Sequence, residues 1–99
     1  MTSEKYTKFR RSVIVINSKD NVAVALRDLK PGEIVEVSIG DKLVKVQVRD
    51  FIKRGHKIAL YDLRKGDYII KYGEVIGVAT QDIKQGQHVH CHNVKSARI

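Results

Sequence analysis

Hydrophobic residues occur along this chain in short, β-branched runs that polar turns separate. In the run 43–48 apolar and polar residues alternate, so Val44, Val46 and Val48 share one face of a strand. Gly40, just before this run, favours a tight hairpin turn because glycine adopts positive φ freely. The same reasoning predicts strands at residues 12–16, 21–26, 34–37, 43–48, 57–60, 68–71, 75–79 and 88–90. The helical i, i+3, i+4, i+7 spacing is never sustained, so we predict an all-β chain of about eight short strands.

One short motif occurs three times between the predicted strands. It reads Ala-x-x-Asp-(Leu/Ile)-(Lys/Arg)-x-Gly and covers residues 25–32, 59–66 and 79–86. The Asp can accept hydrogen bonds from nearby backbone N–H groups and cap a single turn. The Leu or Ile would anchor that turn in the core, and the Gly would allow a tight conformation before the next strand. We therefore interpret the three copies as structural corners, and their irregular spacing excludes a solenoid.

Length and composition predict one folded domain. The chain has 99 residues, of which 42% are hydrophobic and 30% charged, as in ordinary globular proteins. We expect residues 1–11 to form a basic, flexible N-terminal arm and residues 12–99 to form the domain. No apolar run approaches the roughly 20 residues of a membrane span, and the polar start lacks a secretory signal. A single cysteine cannot form an intrachain disulfide, so we expect a cytoplasmic protein.

The charge balance narrows the choice of partners without deciding it. Lys and Arg outnumber Asp and Glu by 19 to 11, which gives a net charge of +8. Such an excess favours nucleic acid, an acidic protein or a small acid as partner. Nucleic acid is the weakest of these hypotheses because the aromatic residues are dispersed and no RNA-binding motif of the RNP type occurs.

The histidines are the strongest chemical signal in the chain. His88, His90 and His92 alternate with other residues, so in a strand all three would share one face. Three imidazoles on one face could bind a divalent metal or act as acid and base, although a solvated strand face explains the same pattern. Cys91 would then point to the opposite face as a small buried thiol. His56 follows Gly55 in a turn that either presents it to a ligand or is simply exposed.

Several motifs together give the chain a specific resemblance. It resembles the SAF-type domain of the altronate dehydratase family, which includes galactarate dehydratase and sulfolactate sulfo-lyase. The similarity extends from about residue 12 to residue 95. The motifs that carry it are Asp20-Asn21-Val22-Ala23-Val24-Ala25-Leu26, Gly55-His56-Lys57, Ile70-Lys71-Tyr72-Gly73, Ile76-Gly77 and His88-Val89-His90-x-His92-Asn93.

The resemblance implies a β-clip fold and a role in a lyase. The family dehydrates sugar acids, generally with a divalent metal such as Fe²⁺, which could equally be bound by the large subunit. The length suggests the small subunit of a two-subunit hydro-lyase, inactive without a large catalytic subunit and contributing polar residues to a shared site. Alternatives are the small subunit of a sulfolactate sulfo-lyase or a non-catalytic SAF module that binds ligands. Homo-oligomers could also form through exposed strand edges.

The resemblance also implies roles for particular residues. His56, Lys57 and His90 are expected to be catalytic, with His56 and His90 facing the substrate or a metal. Lys71 and Asn93 are expected to bind the anionic sugar acid. His88 and His92 are expected to bind the metal.

Overall fold

A computed structural model describes residues 11–96 of the chain. These residues form nine strands and no helix: β1 (Val13–Ile14), β2 (Val22–Ala25), β3 (Ile34–Ile39), β4 (Lys42–Gln47), β5 (Lys57–Ala59), β6 (Tyr68–Lys71), β7 (Glu74–Ala79), β8 (His88–Val89) and β9 (Val94–Ser96). The all-β prediction is confirmed, and only β9 has no counterpart among the predicted strands. The predicted basic arm, apart from Arg11, lies outside the described residues. Within the described part, no helix is long and apolar enough to cross a membrane.

The strands form three antiparallel sheets around two hydrophobic clusters. The sheets have the strand orders β1-β2-β5-β8, β3-β4 and β6-β7-β9. The first cluster lies between the first sheet and the β3-β4 hairpin, and includes Val37, Val46 and Ile58. The second lies between the first sheet and the β6-β7-β9 sheet, and includes Ile69 and Val89. Strand β5 therefore contributes one face to each cluster, because successive side chains point in opposite directions.

The β3-β4 hairpin follows directly from its sequence pattern. Its two strands are joined by a two-residue turn in which Gly40 has a φ of 59°. Val46 and Val48 are fully buried and Val44 is half-buried, so the predicted shared face is confirmed. The alternation decides the register because a shift of one residue would expose this entire face.

The repeated motif forms corners that pair with one another across the fold. Leu63 and Ile83 exchange two backbone hydrogen bonds of 2.7 and 2.8 Å. Asp62 accepts from the N–H of Gln85 at 2.9 Å, and Asp82 accepts from the N–H of Lys65 at 2.9 Å. The prediction that each Asp caps its own turn was therefore wrong. Each Asp caps the partner corner, 17 or 23 residues away, and so joins distant parts of the chain.

A fourth corner, which the sequence motif did not reveal, pairs with the first. Leu29 and Ile52 exchange the equivalent backbone bonds at 2.8 and 2.9 Å, and Asp28 accepts from the N–H of Arg54 at 2.8 Å. The fourth corner has Phe51 where the other three have Asp. The reason is physical: the residue that this Asp would cap is Pro31, which has no N–H. An Asp at position 51 would therefore have no N–H to cap, and its absence hides the fourth copy of the motif.

Candidate functional site

His56 reaches the site because it follows the glycine of the fourth corner. In the other three corners the residue after the glycine caps the turn: Glu33, Asp67 and Gln87 each accept from the backbone N–H three residues earlier, at 2.7, 2.8 and 2.7 Å. At His56 the imidazole is directed instead to His88, with 2.9 Å between His56 Nδ1 and His88 Nε2. The predicted turn at Gly55 is confirmed by its φ of 89°. In this one corner the residue after the glycine therefore contacts a distant histidine instead of capping its own turn.

The other histidines lie at the end of β8 and in the turn that follows. The strand predicted at residues 88–90 is confirmed as β8, but it ends at Val89, so His90 and His92 lie beyond it and do not alternate along a strand. Residues 90–93 form a turn that Asn93 closes. Its Oδ1 accepts from the N–H of His90 at 2.9 Å and its Nδ2 donates to the carbonyl of His88 at 2.8 Å. Asn93 is only 3% exposed, so its amide is occupied in shaping this turn.

Despite the turn, the imidazole rings lie together. The His56 ring stacks on His90 with 4.0 Å between centroids and on His88 with 5.1 Å. The rings of His88 and His90 are 5.4 Å apart, and His92 lies 5.0 Å from His88 at a tilt of 33°. The shared face predicted for these histidines is therefore formed by tertiary structure, since it also includes His56 from the corner that precedes β5.

Three of the four histidines have the geometry of a metal-binding group. One ring nitrogen from each of His56, His88 and His90 lies within 4.8 Å of the others. All three side chains are half-buried, whereas His92 is exposed and lies outside this group. Imidazole nitrogen is a ligand for zinc, iron, copper and nickel, so the donor set fits a transition metal.

The surroundings favour neutral imidazoles. The pKa of His88 is lowered chiefly by desolvation, then by the nearby His92, His56 and His90, while Asp50 raises it. Desolvation also lowers the pKa of His90, and the charges of His56, Lys57 and His92 add to this effect. Neutral imidazole carries the lone pair that a metal or a proton needs.

Lys57 lies beside the histidines: it follows His56 in the chain, and its charge contributes to the lowered pKa of His90. Lys57 shares a face of β5 with Ala59. Ala59 packs in the second hydrophobic cluster with Ile69 of β6, the strand that ends at Lys71. Burial lowers the pKa of Lys57, and the positive charge of Lys71 lowers it further. Among residues 11–96 the ion pair within 4 Å joins Arg27 to Glu33, so Lys57 and Lys71 have no carboxylate partner there.

Two features of the site differ from the sequence prediction or were missed by it. Cys91 is exposed, so the expectation of a buried thiol was wrong; the chain turns at this position instead of continuing as a strand. Asp50 was overlooked, although its Oδ2 accepts from the N–H of His88 at 2.9 Å and so fixes the start of β8. The signal that would have found it is the fourth corner, because Asp50 immediately precedes Phe51.

Comparison with known proteins assigns the domain. Residues 11–97 match the family model of the altronate/galactarate dehydratase SAF domain. The chain belongs to this SAF-domain family. The SAF domain described here is 49% identical over 86 residues to altronate dehydratase of Bacillus subtilis (strain 168), and 49% identical over 83 residues to that of Escherichia coli (strain K12). These matches cover 87% and 84% of this chain.

The SAF domain makes up a different share of the length of each relative. The match spans only 16% of each altronate dehydratase. It spans 62% of (2R)-sulfolactate sulfo-lyase subunit alpha of Chromohalobacter salexigens, with 47% identity over 58 residues that make up 59% of this chain. The names of these relatives are those of dehydratases and lyases, and their lengths indicate a domain that works within a larger or multi-subunit enzyme.

Proposed function

We propose that this SAF domain is a small subunit that contributes histidines and lysines to the site of a sugar-acid hydro-lyase, shared with a large catalytic subunit. The observation that carries the proposal is the convergence of three imidazoles at the end of β8, next to Lys57. The charge of Lys71 acts on Lys57 in turn, and neither lysine has a described carboxylate partner. Altronate is the substrate we expect first, because two altronate dehydratases are 49% identical to the domain.

The donor set fits a divalent metal such as Fe²⁺. His56, His88 and His90 would hold it, since their nitrogens lie within 4.8 Å of one another and two of them have lowered pKa values. His92, expected from the sequence to be a ligand, is better placed as a neighbour that influences the pKa of His88. A bound metal would supply Lewis-acid assistance to the departing β-hydroxyl group.

Lys57 and Lys71 would bind the carboxylate of the acid. Loss of the proton next to a carboxylate places further negative charge on its oxygens, and such a proton is very weakly acidic. A desolvated ammonium stabilises this charge more strongly than one in bulk water. The Lys57 ammonium is partly desolvated, since burial is the main cause of its lowered pKa. Asn93 supports the site indirectly by shaping the turn that carries His90.

The site is open on this domain, which supports a shared active site. His92 and Cys91 are exposed and the other histidines are only half-buried. Elimination chemistry needs a site that excludes water. A large subunit that covers the histidines would provide this, and we expect the complex to act in the cytoplasm. We also propose that the domain self-associates through exposed strand edges.

The proposal is tested by metal binding and by activity in the assembled enzyme. Co²⁺ titrated anaerobically into the chain should give a visible ligand-field spectrum that His56→Ala and His90→Ala each abolish. His92→Ala is the matched control and should retain it, because His92 lies outside the group of three donors. With the large subunit present, the first two variants should lose altronate dehydration without losing the complex.

Two results would contradict the proposal. One is full dehydration of altronate by the isolated domain, since the site would then need no partner. The other is normal activity of both His56→Ala and His90→Ala in the complex. Binding of a sugar acid without any turnover in the complex would instead indicate a non-catalytic SAF module.

A sulfolactate sulfo-lyase subunit is the second candidate function. It is favoured by the 62% coverage of the alpha subunit, against 16% for the altronate dehydratases. Both reactions would begin at the carbon next to a carboxylate, so the same lysines would serve either acid. A screen of altronate, galactarate and sulfolactate against the complex separates the two, because only one reaction releases sulfite.

A further inference from the structure

Tyr72 occupies a backbone conformation that suits its residue type poorly. It lies with Gly73 in the two-residue turn between β6 and β7, with φ values of 57° and 77°. Tyr72 is the non-glycine residue with positive φ among the described residues. Turns with positive φ at both central positions favour Asn, Asp or Gly at the first, because a bulky side chain clashes with its own backbone there.

The surrounding structure forces this conformation. Gly73 donates its N–H to Asp20 Oδ1 at 2.8 Å, and Asp20 is only 2% exposed. Asp20 Oδ2 also accepts from the N–H of Asn17 at 3.2 Å. A Cβ on Gly73 would lie 2.7 Å from Asn17 Nδ2, so the turn is packed tightly against residues 17–20. Strained residues persist where their surroundings determine the backbone in this way.

Burial of the Tyr72 side chain does not explain why a strained tyrosine occupies this position, because the side chain is 52% exposed. Its ring centroid lies 4.8 Å from Lys71 Nζ, which is a cation–π contact. Lys71 ends β6, whose Ile69 packs in the second hydrophobic cluster with Ala59 of β5. Lys57 shares the face of β5 that carries Ala59, and the charge of Lys71 lowers its pKa. Two neighbouring ammonium groups repel each other, so a contact between the Tyr72 ring and Lys71 opposes the displacement of Lys71 before an anion binds.

We propose that Tyr72 is a positioning residue whose ring holds the Lys71 ammonium beside Lys57, so that the pair is ready to bind the carboxylate of the acid. The proposal rests on the proposed function for the identity of that acid. It explains why an aromatic residue stands where Asn would be more stable: the ring is needed for its contact with Lys71.

The decisive variant is Tyr72→Asn, studied in the full 99-residue chain. Because Asn tolerates positive φ, we expect the melting temperature to rise by about 5 °C. The ring-current shift of the Lys71 εCH₂ protons in NMR spectra should disappear. Tyr72→Phe keeps both ring and strain, so the shift and the melting temperature should match the parent chain. Tyr61→Asn is the control for loss of an exposed tyrosine and should change neither.

Substrate binding provides the functional readout. Altronate titrated into the chain should shift the signals of Lys57 and Lys71, with affinity about threefold weaker in Tyr72→Asn and unchanged in Tyr72→Phe. In the assembled enzyme, Tyr72→Asn should raise KM with little change in kcat. A more stable variant with weaker binding is an outcome that a purely structural tyrosine would not give.

Several outcomes would overturn the inference. They are an unchanged or lower melting temperature of Tyr72→Asn, a preserved Lys71 shift in that variant, and equal altronate affinity with and without the ring. The proposed function fails separately, if Co²⁺ does not bind or if the histidine variants remain active. The two sets of experiments therefore distinguish the failure of one from the failure of the other.

Discussion

Replacing Gly86 by Ala should damage both the fold and the histidine site, whereas Gly66→Ala should cost much less. The two glycines occupy equivalent positions in paired corners, with φ values of 90° and 95°. An added Cβ at Gly66 would meet nothing within 4 Å, but at Gly86 it would overlap the backbone carbonyl oxygen of Gln47. The pair therefore separates the cost of positive φ from the cost of a backbone collision.

The magnitudes follow from these two contributions. A left-handed conformation costs an alanine about 1–2 kcal/mol, which both variants share. Overpacking against backbone adds about 1–3 kcal/mol, which only Gly86→Ala incurs. A difference of about 2 kcal/mol corresponds to a melting temperature roughly 8–16 °C lower for Gly86→Ala than for Gly66→Ala. Gly86→Ala would thus lose a large part of the stability of a domain this size.

The collision at Gly86 should also weaken metal binding at the histidine site. The carbonyl of Gly86 accepts from the N–H of Arg49 at 2.9 Å. Asp50, the residue after Arg49, accepts from the N–H of His88. Moving Gly86 away from Gln47 therefore displaces the start of β8. We expect Co²⁺ affinity, measured below the melting temperature of both variants, to fall at least tenfold in Gly86→Ala and to stay within about twofold in Gly66→Ala. Equal melting temperatures, or equal Co²⁺ affinities, would refute this reasoning.

Two further predictions concern neighbouring contacts. Asn93→Ala should weaken Co²⁺ binding because it releases the N–H of His90 and the carbonyl of His88; unchanged Co²⁺ affinity would show that the turn keeps its shape unaided. The pKa of Glu33 is lowered, mainly by its hydrogen bond from Arg27, so Glu33 contributes stability above its ordinary pKa that is lost as the pH falls through the lowered value. Glu33→Gln should therefore be less stable than the parent chain in urea at pH 7, with a gap that narrows in acid; a pH-independent gap would contradict this.

The local patterns of the sequence predicted most of the fold. Strict alternation identified β4 and its buried face, and Gly40 identified the hairpin turn, because both effects depend on residues close in sequence. The short strand β9 was missed because Val94–Ser96 shows no alternation long enough to detect. It pairs with β7, and that pairing partner lies outside any local window.

The corner motif shows where local reasoning ends. The sequence revealed three corners and their glycines, but each Asp was assigned to its own turn. Only the paired arrangement shows that the caps cross between corners, and only the absent N–H of Pro31 explains why Phe51 replaces the fourth Asp. Hydrogen bonds between residues far apart in sequence leave no periodic signal.

The sequence by itself determined that this is an all-β domain, which residues form its turns, and, through its motifs, that it resembles the SAF domain of a lyase family. It also marked every histidine of the site. Only the tertiary structure decided that His56, rather than His92, joins His88 and His90 as the third donor. The physical reason is that the chain turns after Val89 while the pairing of β5 with β8 brings His56 alongside, and neither event is encoded in the spacing of the histidines.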